Sequence, residues 1–142
     1  EQTALTASGS NRKYFRIESE DKTDTLIGVQ GTSKDENGAF LYMDKHFLEK
    51  GLNVPKVLGV SDDSMHYVQE DLGNTLLFDY IADGRKTGVF CEREKQMLRK
   101  TMRAIARFQI KGAEDFDFTQ CYPQPEFNLR SILQNDKMPC GE

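Results

Sequence analysis

The 142 residues suffice for one domain, or for little more than one small lobe, and a chain of this size buries about two-thirds of its unfolded surface. Hydrophobic residues make up 37% and charged ones 30%, a globular balance, and a net charge of −4 with a pI near 5.3 leaves no basic face for a nucleic acid. Cys91, Cys121 and Cys140 form no CxxC pair and no disulfide framework, and two histidines do not complete a zinc set, so the thiols read as reduced ones in a cytoplasmic protein.

No apolar run reaches the length of a membrane span, and the N-terminal residues lack a signal-peptide pattern. Around Leu5 the chain reads as a short strand, then a turn of small polar residues at Ser8-Gly9-Ser10-Asn11, then a strand through Tyr14, Phe15, Arg16 and Ile17. Gly9 and Asn11 tolerate positive φ, and Arg12 and Lys13 put cations at the exit of the turn. Bare backbone N–H groups beside cations suit a phosphate; they equally suit a solvated hairpin.

After a charged turn at residues 18–24, Thr25–Gly31 is a third strand, completing an antiparallel meander. Ser33 and Glu36 have capping-box spacing and open a helix that Gly51 stops. Phe40, Met43 and Phe47, widened by Leu41 and Leu48, form its apolar stripe, expected to pack on the sheet; His46 falls on the exposed side. Lys56–Val60 and Met65–Glu70 are two further strands around a Ser61–Ser64 turn. The first seventy residues therefore read β-β-β-α-β-β, an α+β arrangement with a five-stranded antiparallel sheet and one helix.

From Asp71 the composition changes. Asn74-Thr75 is positioned to cap a short helix containing Leu76–Ile81, and Asp83–Gly88 reads as a loop. A long helix is predicted from Glu92 to Lys111, stopped by Gly112, with Leu98, Met102, Ile105 and Gln109 on one stripe. Beyond it the chain is aromatic and proline-rich.

The run Ala7-Ser8-Gly9-Ser10-Asn11-Arg12-Lys13-Tyr14-Phe15-Arg16-Ile17 resembles the phosphate-loop hairpin of aminoglycoside phosphotransferase and choline kinase-type (protein-kinase-like) enzymes, in particular their bacterial sugar-kinase-like branch. Gly51-Leu52-Asn53-Val54-Pro55-Lys56-Val57-Leu58 is similar to that family's strand entry after its helix, and Gln69-Glu70-Asp71-Leu72-Gly73 to its hinge. Cys121–Phe127 is similar to a connecting segment of the same branch.

The resemblance implies a kinase-like nucleotide-binding N-lobe over residues 1–72, followed over 73–142 by a linker and the first helices of a truncated C-lobe. It implies ATP and Mg²⁺ as cofactors and a sugar or amino sugar as acceptor. Gly9, Ser10 and Asn11 would cover the phosphates, and the backbones of Glu70 and Leu72 would hold the adenine edge. Glu36 would orient a phosphate-binding cation, the capping box being its other reading. Tyr14, Phe15 and Ile17 would roof the base, although Phe15 and Ile17 equally suit plain core.

Two departures narrow this. The third strand, Leu26-Ile27-Gly28-Val29-Gln30, lacks the lysine that kinase-like folds carry there, which leaves Arg12, Lys13 or Arg16 to supply the charge. After the hinge, neither an H/Y-x-D segment with an Asn a few residues on nor a subsequent metal-binding Asp follows, so no catalytic residue is assigned and the chain by itself is expected to bind nucleotide weakly without turnover. A kinase-derived binding or regulatory module is the alternative, and a plain structural domain the third reading. Apolar residues such as Leu98, Met102, Ile105, Tyr122 and Phe127, left open where a second lobe belongs, would favour self-association.

Overall fold

The computed structural model describes residues 1–5, 12–21 and 23–124. Gly9, Ser10, Asn11, Phe127 and Cys140 therefore lie outside the described residues. Five strands form one antiparallel sheet in the order β1-β2-β3-β5-β4, with β1 Gln2–Leu5, β2 Lys13–Glu18, β3 Thr25–Gln30, β4 Val57–Val60 and β5 His66–Glu70. The first strand lies ahead of Leu5 rather than around it. The α+β reading of residues 1–70 holds in element order and type.

Helix α1, Lys34–Glu49, crosses between β3 and β4. The Ser33 hydroxyl accepts the Glu36 N–H at 3.4 Å, and Gly51, at φ +67°, turns the chain away. Period-two alternation sends Tyr14, Ile27, Val29 and Tyr67 to the α1 side, where Ile27, Val29 and Tyr67 are buried beneath Phe40 and Leu41. Stacking of Phe40 on Tyr67, with centroids 5.2 Å apart, fastens helix to sheet.

The expected apolar stripe of α1 divides between two neighbours. Phe40 and Leu41 meet the sheet, whereas Met43 and Phe47 face Phe108 and Phe116 of the later chain across an apolar recess. His46 is not exposed, as its position on the polar side had suggested; it is buried, and its Nε2–H donates to the Gly112 carbonyl at 3.0 Å. The segment after the long helix covers that side of α1: the Tyr42 hydroxyl accepts the Asp117 N–H at 2.8 Å, and Lys50 pairs with Asp115 at 2.8 Å.

Beyond β5, helix α2 is Leu77–Tyr80 and α3 is Ala82–Thr87, so residues 83–87, read as loop, are helical up to Gly88 at φ +75°. Leu76, not Asn74 or Thr75, is the N-cap of α2. The buried Glu94 side chain accepts the N–H groups of Gly84 and Cys91, joining α3 to the start of α4, Glu92–Lys111. On α4 the partly covered residues beyond Glu94 are Met97, Leu98, Thr101, Ala104 and Phe108, so Leu98 of the expected stripe is partly covered while Met102 and Ile105 are 65% and 46% exposed. No helix among the described residues is long and apolar enough to cross a membrane.

Asn37, 0% exposed, seals the joint between α1 and the β4–β5 turn by donating to the carbonyls of Ser64 and Met65 at 3.0 and 3.2 Å. A Cβ on Gly31 would overlap the Asn37 amide, whereas one on Gly38 meets open space within α1. Gly31→Ala is therefore expected to destabilise by about 2–3 kcal/mol through overpacking and disturbance of a buried amide. Gly38→Ala should stabilise by about 0.5–1 kcal/mol by removing unfolded-state freedom. Urea unfolding of the two variants checks both signs.

Candidate functional site

Arg12 and Arg16 stand four residues apart on the α1 side of β2 and its entry, a separation of about 13 Å along an extended chain. A guanidinium on an inward strand face needs a counter-charge, because burying it unpaired is costly. Each arginine finds a different carboxylate.

Arg12, 9% exposed, places its Nη2 3.2 Å from a Glu36 carboxylate oxygen and also donates to the Glu36 carbonyl at 3.2 Å. Its guanidinium lies 4.8 Å above the Phe40 ring. Of the two readings of Glu36, the main-chain half of the cap is present, and the carboxylate goes to Arg12. Of the three cations considered for the missing third-strand lysine, Arg12 is the one that meets Glu36; Lys13 is exposed and Arg16 is engaged elsewhere. The Tyr67 hydroxyl lies close by, and burial, opposed by the charge of Arg12, pushes its pKa up to about 12.

Arg16 grips the connector that leaves β5. Its Nε and Nη2 donate to the two oxygens of Asp71 at 2.5 and 2.9 Å, and its Nη1 donates to the Asn74 side-chain oxygen at 2.7 Å. The Asp71 side chain is 4% exposed and also accepts the Gly73 N–H at 2.8 Å. These bonds, that from Arg16 above all, hold its pKa down at about 2 against the opposing effect of burial. Gly73 has φ +81°, a conformation natural to glycine.

Beside Arg16 lies an open cleft of about 390 Å³ whose lining includes Tyr14, Ile27, Gln69, Leu72 and Asn74; Arg12, on the same strand face, stands outside that lining. Both hinge candidates border it. The Glu70 N–H is already donated to the Lys56 carbonyl at 3.0 Å, so a ligand at that edge would meet the Glu70 carbonyl, not its N–H. Leu72 is 72% exposed. Tyr14 lines the cleft, but Phe15 and Ile17 do not: alternation sends them to the opposite face, where they border a separate recess with Gly28 and Val68. They cannot roof the cleft together with Tyr14.

The Arg16–Asp71–Asn74 bonds were not anticipated from the sequence. The available signal was Arg16 itself, an inward cation flanked on its face by Tyr14, which requires a buried anion, and Asp71 follows the strand that borders β3. Among the described residues, no group of three His, Cys, Asp or Glu side chains is arranged to hold a metal ion. No protein-family model matches the chain, and no curated protein matches it by sequence.

The depressed Asp71 pKa carries a pH signature. A carboxyl whose folded pKa lies below its unfolded value of about 3.9 contributes stability that is complete above that value and is lost as pH falls towards about 2. The urea midpoint of the parent chain should therefore drop between about pH 4 and pH 2. Asp71→Asn should be less stable at pH 7 and should lack this component of the decline; parallel curves for the two proteins would contradict the assignment.

Proposed function

We propose that residues 1–72 form the ATP-binding lobe of a small-molecule phosphotransferase acting on a hydroxyl of a sugar or amino sugar. The observation that carries the reading is the Arg12–Glu36 ion pair standing on the same face of β2 as the cleft that ends at the Glu70–Leu72 connector. A kinase-like site needs a fixed cation for phosphate, a carboxylate that orients it and a main-chain edge for the base. Arg12 supplies the first, Glu36 the second, and the Glu70 carbonyl with the Leu72 backbone the third.

The donor set fits a nucleotide. Arg12 retains a planar charge at the sheet–helix joint and would hold a phosphate oxygen, with Glu36 fixing the guanidinium plane. The apolar walls at Tyr14 and Ile27 suit the face of a base. Magnesium, when bound, would neutralise charge on the phosphates. The acceptor hydroxyl would lose its proton to an Asp of a catalytic H/Y-x-D segment with Asn a few residues on, for which no match follows the hinge in this sequence.

Calorimetric titration of the 142-residue chain with ADP or ATP in the presence of Mg²⁺ should give saturable binding. Arg12→Ala should weaken it by about 10- to 100-fold, the value of one charge-assisted contact. Glu36→Gln should weaken it less, since it only loosens the cation. No heat and no thermal shift at millimolar nucleotide would overturn the reading.

A further inference from the structure

We infer that Arg16 is the positioning residue for the base end of the cleft: it holds the Asp71–Gly73 turn in the orientation that presents the Leu72 main chain to a nucleotide base. This inference rests on the nucleotide reading above and adds to it a residue that acts without touching phosphate.

Leu72 and Leu76 are 72% and 63% exposed, and Gly73, Asn74 and Thr75 are exposed as well. Apolar packing therefore does not fix the connector. Polar contacts do. Asp71 is tied to β2 through both carboxylate oxygens, and one of these also takes the Gly73 N–H, so the Leu72 peptide is suspended between two anchored points. Asn74 supplies a third anchor to the same guanidinium.

Only a guanidinium satisfies this geometry. Its fork reaches two carboxylate oxygens and an amide oxygen at once, whereas an ammonium is a single point charge on a flexible stem. A buried ion pair is seldom more stabilising than an apolar pair of equal volume, so stability alone is a weak reason for placing charge there. Its position is informative: Arg16, Asp71, Leu72, Gly73 and Asn74 all border the cleft. Arg12 and Arg16 thus divide the work along one strand face, the first at the phosphate end and the second at the base end.

The test separates the two ends by comparing adenosine with ADP. Arg16→Lys and Asp71→Asn should weaken both ligands equally, by about tenfold or more, whereas Arg12→Ala should weaken ADP and leave adenosine unchanged. Hydrogen exchange at the Gly73 amide should be about tenfold faster in Arg16→Lys, without nucleotide present. Asn74→Ala, which keeps the ion pair and the fold, should shift adenosine binding and Gly73 exchange in the same direction by about threefold, which covers the case in which Arg16→Lys fails to fold. Unchanged adenosine affinity or unchanged Gly73 exchange in a folded Arg16→Lys protein overturns the inference. If the parent chain binds neither adenosine nor ADP, the nucleotide reading fails and the base-positioning role fails with it. Gly73 exchange still reports the clamp by itself, so the two failures are distinguishable.

Discussion

Two guanidinium groups on the inward side of β2 must be neutralised where solvent is scarce, and the partners they find determine how the rest of the chain is tied to the sheet. Arg12 takes its carboxylate from α1, the helix that packs on that face, while Arg16 takes its own from the connector that leaves β5. One strand is thereby linked electrostatically to both neighbouring elements. The apolar contacts alone are modest: Ile27, Val29 and Tyr67 are the buried hydrophobic cluster of the sheet, with Phe40 and Leu41 over it. Ion pairs in this setting contribute orientation more than stability, because much of their attraction offsets lost hydration.

Helix α1 is consequently held on two sides by different chemistry. Towards the sheet it presents Phe40, Leu41 and the fully buried Asn37; towards the segment after α4 it presents Tyr42, His46 and Phe47. His46 donates to Gly112, Lys50 pairs with Asp115, and Phe116 packs among the rings of Tyr42, His46 and Phe47. Asp44, buried near the start of β4, has its carboxyl pushed above the usual range by burial, with Glu70 adding to the effect and the Val57 N–H opposing it. A helix with so many polar groups inside cannot slide freely, since each shift would strand a donor or acceptor away from water.

Much of the first seventy residues was legible because strands and turns there follow local rules. Lys13–Glu18 and Thr25–Gln30 carry β-branched and aromatic residues between turn formers, and Ser33 announces the helix start. What escaped was tertiary. His46 sits on the polar side of α1, and only the returning Gly112 carbonyl makes that side an interior. The apolar stripe of α4 is real as a periodicity, yet of its members only Leu98 is partly covered, and the ring that meets α1 is Phe108, on the adjacent stripe, so the helix is not oriented by its apolar moment alone. Residues 83–87 contain Gly84 and few apolar residues, so local propensity favours a loop; the bond from the Gly84 N–H to Glu94 is non-local and overrides it. At the site, Arg12 and Glu36 were both candidates from the sequence, but their meeting across 24 positions was not readable from either.

The absence of a lysine from β3 has a physical counterpart in the packing. Its inward residues, Ile27 and Val29, are 7% and 3% exposed and lie against Tyr67 and α1. A cation at Val29 would need its full charge compensated inside the tightest part of the sheet–helix joint. At the entry to β2, an arginine reaches the same helix with its guanidinium over the Phe40 ring and beside the Glu36 carboxylate. The guanidinium suits that place better than an ammonium would, since it keeps its charge when partly dehydrated and offers donors in a plane. With the cations on β2 and its entry, the inward positions of β3 serve as core. That placement also makes the orientation of the Arg12 charge depend on the position of α1, the element that the aromatic segment after α4 holds from behind.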